Sequence, residues 1–444
     1  MNSDDVPYIE PKLRAFASPM RRRRRLLVIA YYFPPMGLSG VQRISKIVKY
    51  LPEHGWDVTV LTVGDVGYFA HDYSLLEEVH GAGVSIERTK TLDPLRLFRR
   101  KGTIKMPSDG SRRFLSGITQ TFLQPDNKIG WKRYAIRRAK ELAAVEPFDA
   151  ILATAPPFTD FLVGHELRQS LGIPLIVDYR DPWVDNRNYF YATPLHRRYA
   201  TRLEQRILRS ADSIVVVNRK IKEKLIARYQ FLTHTSVEII PNGYDPEDIE
   251  EAARIPIERP AKMRLTYSGH FDAKRSPEYL FQALANVFAA GPAMRDEVEA
   301  CFVGHFHDSF MKMATKLGVS SAVRTTGYLD HRESVRQLLA SDVLWLTIFD
   351  PTITPGKIYE YMGTGRPILA LAPEGAVRNA LRGYGASVAV EPTDVEAITR
   401  AITALHQQWR ARTLPVGDTA RASEFDQRRL TEQLARILAY TLRI

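Results

Sequence analysis

Hydrophobic residues occur along the chain in short runs, and segments with helical spacing separate these runs. Val343–Ile348 and Pro367–Ala372 are two of them. Parallel strands that are buried on both faces have continuous apolar sequences, and a helical crossover joins them. Thr354 is a good helix cap and Pro355 suits the first helical position, while glycines shortly before the second run favour a helix end. The pattern therefore predicts a β-α-β unit.

The N-terminal part of the chain repeats this alternation. Leu26–Tyr32 predicts a buried strand, Val41–His54 has apolar residues at helical spacing, and Trp56–Thr62 predicts the next strand. Further strands are predicted at 150–154, 174–178, 213–217, 237–241, 263–268, 300–303 and 323–326. Residues 424–444 have the apolar spacing of a helix. Strands that alternate with helices predict an α/β protein with parallel sheets.

The length of 444 residues favours two domains. The predicted division is a basic tail at 1–25, a first domain at 26–245, a linker at 246–262, a second domain at 263–415 and a C-terminal helix at 416–444. Cys301 is the single cysteine, so an internal disulfide is excluded and a reducing compartment fits. Since no run of about 18 apolar residues occurs, we expect no membrane span and a cytoplasmic location.

The net charge of +12 is unevenly distributed. Residues 1–140 contain 25 Lys and Arg against 13 Asp and Glu, and the remaining residues contain 37 of each sign. Nucleic acid is not an expected partner, because the sequence has no RNA-binding consensus, zinc-ligand spacing or basic zipper. A phosphate-rich substrate or an anionic membrane surface remains as the partner of this charge.

Two segments of the second domain have the residues of a phosphate site. The first turn of the predicted helix after Thr354 offers unpaired N–H groups, and Gly356 allows a phosphate to approach them. Glu360 lies one turn further on the same face and can accept hydrogen bonds from a pair of sugar hydroxyls. In the loop after strand 263–268, Gly269 allows close approach beside basic side chains. The alternative for Glu360 is a surface position on a plain β-α-β unit.

The helix segment reads P-G-K-x-x-E-Y-M-G-x-G-R-P-I and resembles the donor-nucleotide segment of GT-B glycosyltransferases, in particular the bacterial family 4 retaining enzymes. In the first domain, the string YYFPPxxxxG resembles the opening of family 4 glycosyltransferases, and the strings ATAPPF and VDYRDPW resemble a subgroup of the family that builds bacterial surface polysaccharides. The resemblance implies two Rossmann-like domains that face a central cleft, with a C-terminal helix returning to the first domain. It also implies transfer of a sugar from a nucleotide sugar to a glycan acceptor.

The resemblance also implies roles for individual residues. Glu360 corresponds to the residue that binds the donor ribose, and Tyr328 lies where the family contacts the nucleobase. The family carries a second Glu eight positions before Glu360, whereas this chain has Thr352 there. The donor-binding candidates are Gly269, Lys274, Arg275, Tyr328, Gly356, Lys357 and Glu360. Lys274, Arg275 and Glu360 are the catalytic candidates, since they could stabilise the leaving diphosphate and the donor.

The acceptor side is predicted in the first domain. The acceptor-side candidates are Gly37, Gly40, Asp160, Asp178 and Asp181. The glycines lie in a loop that faces the cleft in the family, and two of the carboxylates follow a strand end, where they can orient sugar hydroxyls. Related sequences often carry a His two residues after the position of Thr159, whereas this chain has Phe161, and Asp160 is a weak substitute for that base. The alternative is that the glycines permit a turn and that Asp181 caps one.

No D-x-D motif occurs in the chain, so we expect no metal, and no cofactor besides the nucleotide-sugar co-substrate. Two rival functions remain open at this point. One is a non-catalytic GT-B-like protein that binds a partner or lipid, which Thr352 favours. The other is a GT-B sugar-nucleotide epimerase.

Residues 94–140 combine many basic residues with interleaved Leu and Phe side chains. Such a segment can lie on a bilayer with its cations at the level of the headgroups. An acceptor linked to a polyprenyl diphosphate would keep the enzyme at that surface. The alternative is that the apolar side chains close an ordinary α/β core.

We predict that the protein binds anionic liposomes and that added salt weakens the binding, because each nearby cation contributes about 1 kcal/mol within a Debye length. Replacement of Arg99, Arg100, Lys101, Arg112 and Arg113 by Gln should reduce co-sedimentation with these liposomes. Equal binding to neutral liposomes would contradict the prediction.

Overall fold

The computed structural model describes residues 23–443, apart from residues 38, 65, 69, 94–122, 187–188 and 272–274. The first domain contains a seven-stranded sheet in the order β3-β2-β1-β4-β5-β6-β7. Its strands are β1 (Arg24–Ile29), β2 (Trp56–Val63), β3 (Ser85–Thr89), β4 (Ala150–Ala155), β5 (Leu175–Tyr179), β6 (Ser213–Val216) and β7 (Val237–Ile239).

The second domain contains a six-stranded sheet in the order β10-β9-β8-β11-β12-β13. Its strands are β8 (Met263–Ser268), β9 (Val298–Val303), β10 (Val323–Gly327), β11 (Val343–Thr347), β12 (Ile368–Leu371) and β13 (Ser387–Val390). Neighbouring strands pair in parallel throughout both sheets as described, including β11 with β12, so the predicted α/β class is confirmed.

Helices connect these strands and cover the sheets. Those of the first domain are α1 (Ser39–Tyr50), α2 (Ser74–Gly81), α3 (Lys132–Val145), α4 (Thr159–Leu171), α5 (Pro194–Ser210) and α6 (Arg219–Arg228). Those that follow are α7 (Pro246–Arg254), α8 (Glu278–Ala290), α9 (Met294–Glu297), α10 (Asp308–Lys316), α11 (His331–Leu339), α12 (Lys357–Gly363), α13 (Ala376–Leu381), α14 (Val395–Ala411), α15 (Thr419–Ser423) and α16 (Gln427–Thr441). No helix in the described ranges is long and apolar enough to cross a membrane.

Successive side chains of β1 point to opposite faces of the first sheet, and both faces are buried. Leu27 and Ile29 pack in one core together with residues of α3, α4 and α5. Leu26 and Val28 pack in a second core, to which α16 contributes Leu430, Leu434 and Leu438 among others. The C-terminal helix therefore completes the hydrophobic core of the first domain.

The segment 246–262, predicted as a linker, contains helix α7. This helix packs on α11 through Ala252, which is buried with Val335 and Leu339. The chain that joins the domains is thus held against the second domain by apolar contacts.

Helix α12 begins at Lys357, two residues after Pro355, the predicted first helical residue. The side chain of Asn218 in the first domain donates to the Thr354 hydroxyl, at 3.1 Å, and to the carbonyl of Thr352, at 3.0 Å. This contact directs the Thr354 side chain toward the first domain, so it does not cap the helix. Thr354 could cap the helix or bond the first domain, and its contact with Asn218, which is distant in the sequence, decides between the two.

Asp178 lies in the interior of the first domain rather than on the acceptor side of the cleft. Its carboxylate is 1 % exposed and pairs with Arg43 at 2.9 Å, and it also accepts a hydrogen bond from the Thr154 hydroxyl, at 2.8 Å. Arg43 in turn donates to the carbonyls of Ile240 and Pro241, at 3.0 and 2.7 Å. The structure therefore corrects the prediction for Asp178: this carboxylate joins α1 to β5 and to the chain after β7.

We predict that Arg43→Ala destabilises the protein by roughly 3–5 kcal/mol, since it leaves the Asp178 carboxylate buried without its partner. Arg168→Ala is the control, because Arg168 pairs with Asp212 at 2.8 Å near the surface, where such a pair contributes less than about 1 kcal/mol. Chemical denaturation of both variants checks this. Equal losses of stability in the two variants would contradict the structural role of the buried pair.

Candidate active site

The candidate donor site lies where β8 and β11 end, at the carboxyl edge of the second sheet. Gly269 follows β8 with φ +130°, a conformation that favours glycine. The Nζ atom of Lys357 lies 3.7 Å from the ring centroid of Tyr267, and a Cβ atom on Gly269 would lie 2.5 Å from this Nζ. Gly269 is therefore required for Lys357 to reach its position over the ring.

Lys357 shares its surroundings with two other predicted residues. Burial lowers its pKa well below the usual value, the charge of Arg275 lowers it further, and the charge of Glu360 opposes this. Three predicted donor residues thus act on one another in the folded protein. Two cations placed together at a sheet edge favour an anionic ligand, and its negative charge would stabilise the protonated lysine.

Gly356 lies directly before α12, at the same edge. A Cβ atom at this position would have no heavy atom within 4 Å, so the backbone borders open space. A phosphate could approach the peptide N–H groups there. Lys274, the remaining donor candidate, lies outside the described residues.

Glu360 on α12 lies beside a residue that sequence reasoning missed. Its Oε1 atom is 3.8 Å from Nδ1 of His331, the first residue of α11. Asp330 caps α11 by accepting from the backbone N–H of Glu333, at 2.8 Å. The Glu333 carboxylate accepts from Arg336, at 2.8 Å. The only signal for His331 was its place directly after a helix cap.

Thr352, at the position where the family carries a Glu, is held by both domains. Its backbone N–H donates to Asp350, at 2.8 Å, and its hydroxyl accepts from Nζ of Lys224 on α6, at 3.2 Å. Thr352 is 6 % exposed, so it stabilises the loop after β11. The hydrogen bonds from Lys224 and Asn218 to this loop were not predictable from the sequence, because their partners are more than 100 residues away.

Tyr328 and Gly37 meet across the cleft. A Cβ atom on Gly37 would overlap the Tyr328 hydroxyl, so the absence of a side chain in the first domain makes room for this ring. Burial raises the pKa of Tyr328 to about 12, and the charge of Asp72 adds to the effect. The structure therefore brings a predicted acceptor-side glycine against a predicted donor-side tyrosine.

Gly40 and Asp181 also belong to the wall of the first domain. The guanidinium of Arg180 donates to the carbonyls of Gly40 and Pro156, and this holds the start of α1 beside the loop after β4. Burial raises the pKa of Asp181, while the charges of Arg180 and Arg275 lower it. Asp181 therefore faces the donor-side arginine electrostatically, and its acceptor role stays a prediction.

Asp160 is buried below the cleft wall rather than displayed on it. Its Oδ2 atom accepts from the backbone N–H of Tyr31, at 2.9 Å, and its Oδ1 atom has no hydrogen-bond partner among the described residues. Burial raises its pKa well above the usual value, so this carboxyl holds its proton to a higher pH than an exposed one. A carboxyl that is 1 % exposed is poorly placed to act as a base on a bound acceptor.

A group of acidic side chains lies where α1, α2 and α7 meet. Ligand oxygens of Glu78, Asp245 and Asp248 lie within 4.8 Å of one another, a spacing that could suit a metal ion. The Nζ atom of Lys46 lies among them, 3.0 Å from Asp245 and 2.6 Å from Asp248. Lys49 also pairs with Asp245, at 2.7 Å, so two ammonium groups already occupy this cluster, which argues for an ion-pair network.

Two protein-family models match the chain, one in each domain. Residues 40–243 match the family described as glycosyl transferase 4-like domain, and residues 262–408 match glycosyl transferases group 1. The chain belongs to the GT-B glycosyltransferases. The predicted fold of two Rossmann-like domains around a cleft is therefore confirmed.

Individual relatives of this glycosyltransferase are distant. A D-inositol 3-phosphate glycosyltransferase of Geodermatophilus obscurus is 23% identical over 253 residues, which is 54% of each chain, so the match spans about half the length of that relative. HepE of Anabaena, solved with UDP and glucose, is 16% identical at a TM-score of 0.64, over 94% of this chain and 100% of that one. Sucrose-phosphate synthase of Thermosynechococcus elongatus is 18% identical at a TM-score of 0.63, over 94% and 99%.

We predict that the glycosyltransferase takes up a proton when a nucleoside diphosphate binds, because the ligand raises the lowered pKa of Lys357. The affinity should then weaken as the pH rises. Calorimetry at pH 8 in two buffers of different ionisation enthalpy measures the uptake, since the phosphates themselves have lost their protons there. Lys357→Arg keeps the charge at every pH and should bind without this uptake. The same proton uptake in this variant would contradict the assignment.

Proposed function

We propose that this glycosyltransferase transfers a sugar from a nucleotide-sugar donor to a glycan acceptor, with retention of configuration at the anomeric carbon. The observation that carries the proposal is the grouping of Gly269, Arg275, Lys357 and Glu360 at one edge of the second sheet. Cations that can bind a diphosphate lie next to a carboxylate that can bind a ribose. This is the arrangement that a nucleotide sugar requires.

Catalysis in this proposal is mainly electrostatic. Negative charge grows on the diphosphate as it leaves the sugar, and groups that already point at that charge stabilise the transition state. Arg275 and Lys357 supply this stabilisation from the described part of the site. A contribution of Lys274 is proposed from the sequence alone, because this residue lies outside the described residues. Glu360 holds the ribose and so fixes the donor against these cations. Side-chain cations do the work that a metal ion does elsewhere, so we propose a metal-independent hexosyl transfer without a further cofactor.

A solved structure with the same fold supports the class of the donor. HepE, which shares the fold, was solved with UDP and glucose, and this supports a nucleotide sugar as the donor class. Tyr328 lies at the same cleft, and we propose that it borders the base.

We propose a lipid-linked glycan as the acceptor, such as one carried on a polyprenyl diphosphate in bacterial polysaccharide biosynthesis. The enzyme would then work at the inner, cytoplasmic face of an anionic membrane. The exposed face of α5 supports this location. Leu195 and Tyr199 are 74 and 51 % exposed, and Arg202 and Arg206 continue the same face at helical spacing. Of the segment 94–140, the first candidate for membrane contact, residues 94–122 lie outside the described residues, and Ala135, Ile136 and Ala139 are buried in the core of the first domain.

Two rival functions lead to different products. A non-catalytic binding protein would leave sugar nucleotides unchanged, and an epimerase would isomerise the sugar. A transferase releases nucleoside diphosphate and loads the acceptor. Incubation with a panel of sugar nucleotides, with and without lipid-linked acceptor, separates the three, and we expect nucleotide release that depends on acceptor. Isomerised sugar without transfer, or no change in the presence of a competent acceptor, would overturn the proposal.

We predict that Glu360→Ala weakens nucleoside diphosphate binding by about 10- to 100-fold, because hydrogen bonds to a charged group contribute about 1.5–3 kcal/mol. Glu374→Ala in the same domain is the control, since Glu374 pairs with Arg378 at the surface, at 2.8 Å. Calorimetric titration of both variants measures the difference. Unchanged affinity in Glu360→Ala would remove the ribose assignment.

A further inference from the structure

His331 occupies a buried position where four helices and a loop meet. It is 7 % exposed, although it begins helix α11. Its Nε2 atom lies 2.7 Å from Oδ2 of Asp248 on α7, and its Nδ1 atom lies 3.0 Å from the Gln42 amide on α1. Its backbone N–H donates to Asp72 in the loop before α2, at 2.9 Å. His331 thus belongs to the second domain, but Gln42 and Asp72 belong to the first.

The same imidazole lies against the candidate ribose ligand. Nδ1 of His331 is 3.8 Å from Oε1 of Glu360. Within the described part of the chain, His331 is the one cationic side chain at ion-pair distance from this carboxylate. The contact is too long for a hydrogen bond, so it acts as a Coulomb attraction. The orientation of Glu360 therefore depends on the charge and position of His331.

The charges around His331 favour its protonated form. Asp248 faces it from α7, Glu360 from α12 and Asp72 from the loop before α2. Lys46 on α1 opposes them, but Lys46 is itself paired with Asp248 and with Glu78 on α2. Burial disfavours the charged ring, yet Asp248 and Glu360 raise the pKa of His331 to about 9. At neutral pH the ring therefore carries a positive charge and two N–H donors. Its Nδ1–H then donates to the amide of Gln42, which must present its oxygen rather than its nitrogen to the charged ring.

We propose that His331 is a positioning residue, which holds the Glu360 carboxylate in place for the donor and makes donor binding depend on the contact between the two domains. The proposal rests on the proposed function, in which Glu360 binds the donor ribose. If the domains separate, His331 loses Gln42 and Asp72, and Glu360 loses a fixed neighbour. By linkage, a donor that binds ordered Glu360 favours the closed arrangement to the same extent.

Calorimetry with UDP and GDP as probes, from pH 7 to pH 10, tests the proposal. At pH 7, His331→Gln should bind the preferred probe about tenfold more weakly, because it removes the charge beside Glu360. The wild-type affinity should fall as the pH rises through about 9, whereas His331→Gln should lack this step. Lys357 adds its own pH dependence to both proteins, so the difference between them isolates His331.

A second variant separates positioning from a merely structural role. Asp248→Asn keeps the shape of the side chain but removes the charge that raises the pKa of His331. The fall in affinity should therefore move to lower pH, a shift that lost stability alone does not produce. His406→Gln is the matched control, because this buried histidine pairs with Glu297 at 2.8 Å in the same domain and has no contact with Glu360. Its affinity and pH profile should equal those of the wild type.

The outcomes are distinct. If Glu360→Ala weakens probe binding but His331→Gln binds with the wild-type affinity and pH profile, the positioning role is wrong and the proposed function stands. If Glu360→Ala binds both probes as tightly as the wild type does, the donor site of the proposed function fails. An unshifted pH profile in Asp248→Asn would also overturn the positioning role.

Discussion

Buried ion pairs fix helix α1 inside the first domain and against α7, the helix that leads into the second domain. Arg43 pairs with Asp178 under the first sheet, and Lys46 lies among Glu78, Asp245 and Asp248. Buried charges are costly unless each has a partner in good geometry, so such a network allows few arrangements of its helices. The position of α1 fixes Gln42, and through it the surroundings of His331. The donor site therefore depends on contacts made in the other domain.

The cleft itself has a different electrostatic character. Lys357 and Arg275 are close enough to disfavour each other's charge, and Glu360 offsets them only in part. A site that holds like charges together is stabilised when an anion binds, and this preorganisation is what a leaving diphosphate needs. The oppositely charged pairs of the α1 network maintain the structure, while the like charges of Lys357 and Arg275 in the cleft favour an anionic ligand.

Family membership and substrate identity rest on different kinds of observation. The matches to two glycosyltransferase families cover both domains, and they place the chain in the GT-B group. The solved relatives are under 20% identical, so they establish the fold, and the donor class is argued from the site. Thr352 illustrates the difference. The family carries a Glu at its position, whereas the hydrogen bonds of Thr352 with Asp350 and Lys224 show a residue that stabilises a loop.

The sequence by itself determined the α/β class, most strand positions and the motif around Glu360, because these depend on local periodicity and on short spacings. Gly269, Gly356 and Glu360 could be named for the same reason. The tertiary structure decided which side chains meet. Asp178 pairs with Arg43, and His331 lies beside Glu360, although only its place after a helix cap marks His331 in the sequence. Burial and long-range pairing set the charge and exposure of a side chain, and these depend on residues that are distant in the sequence.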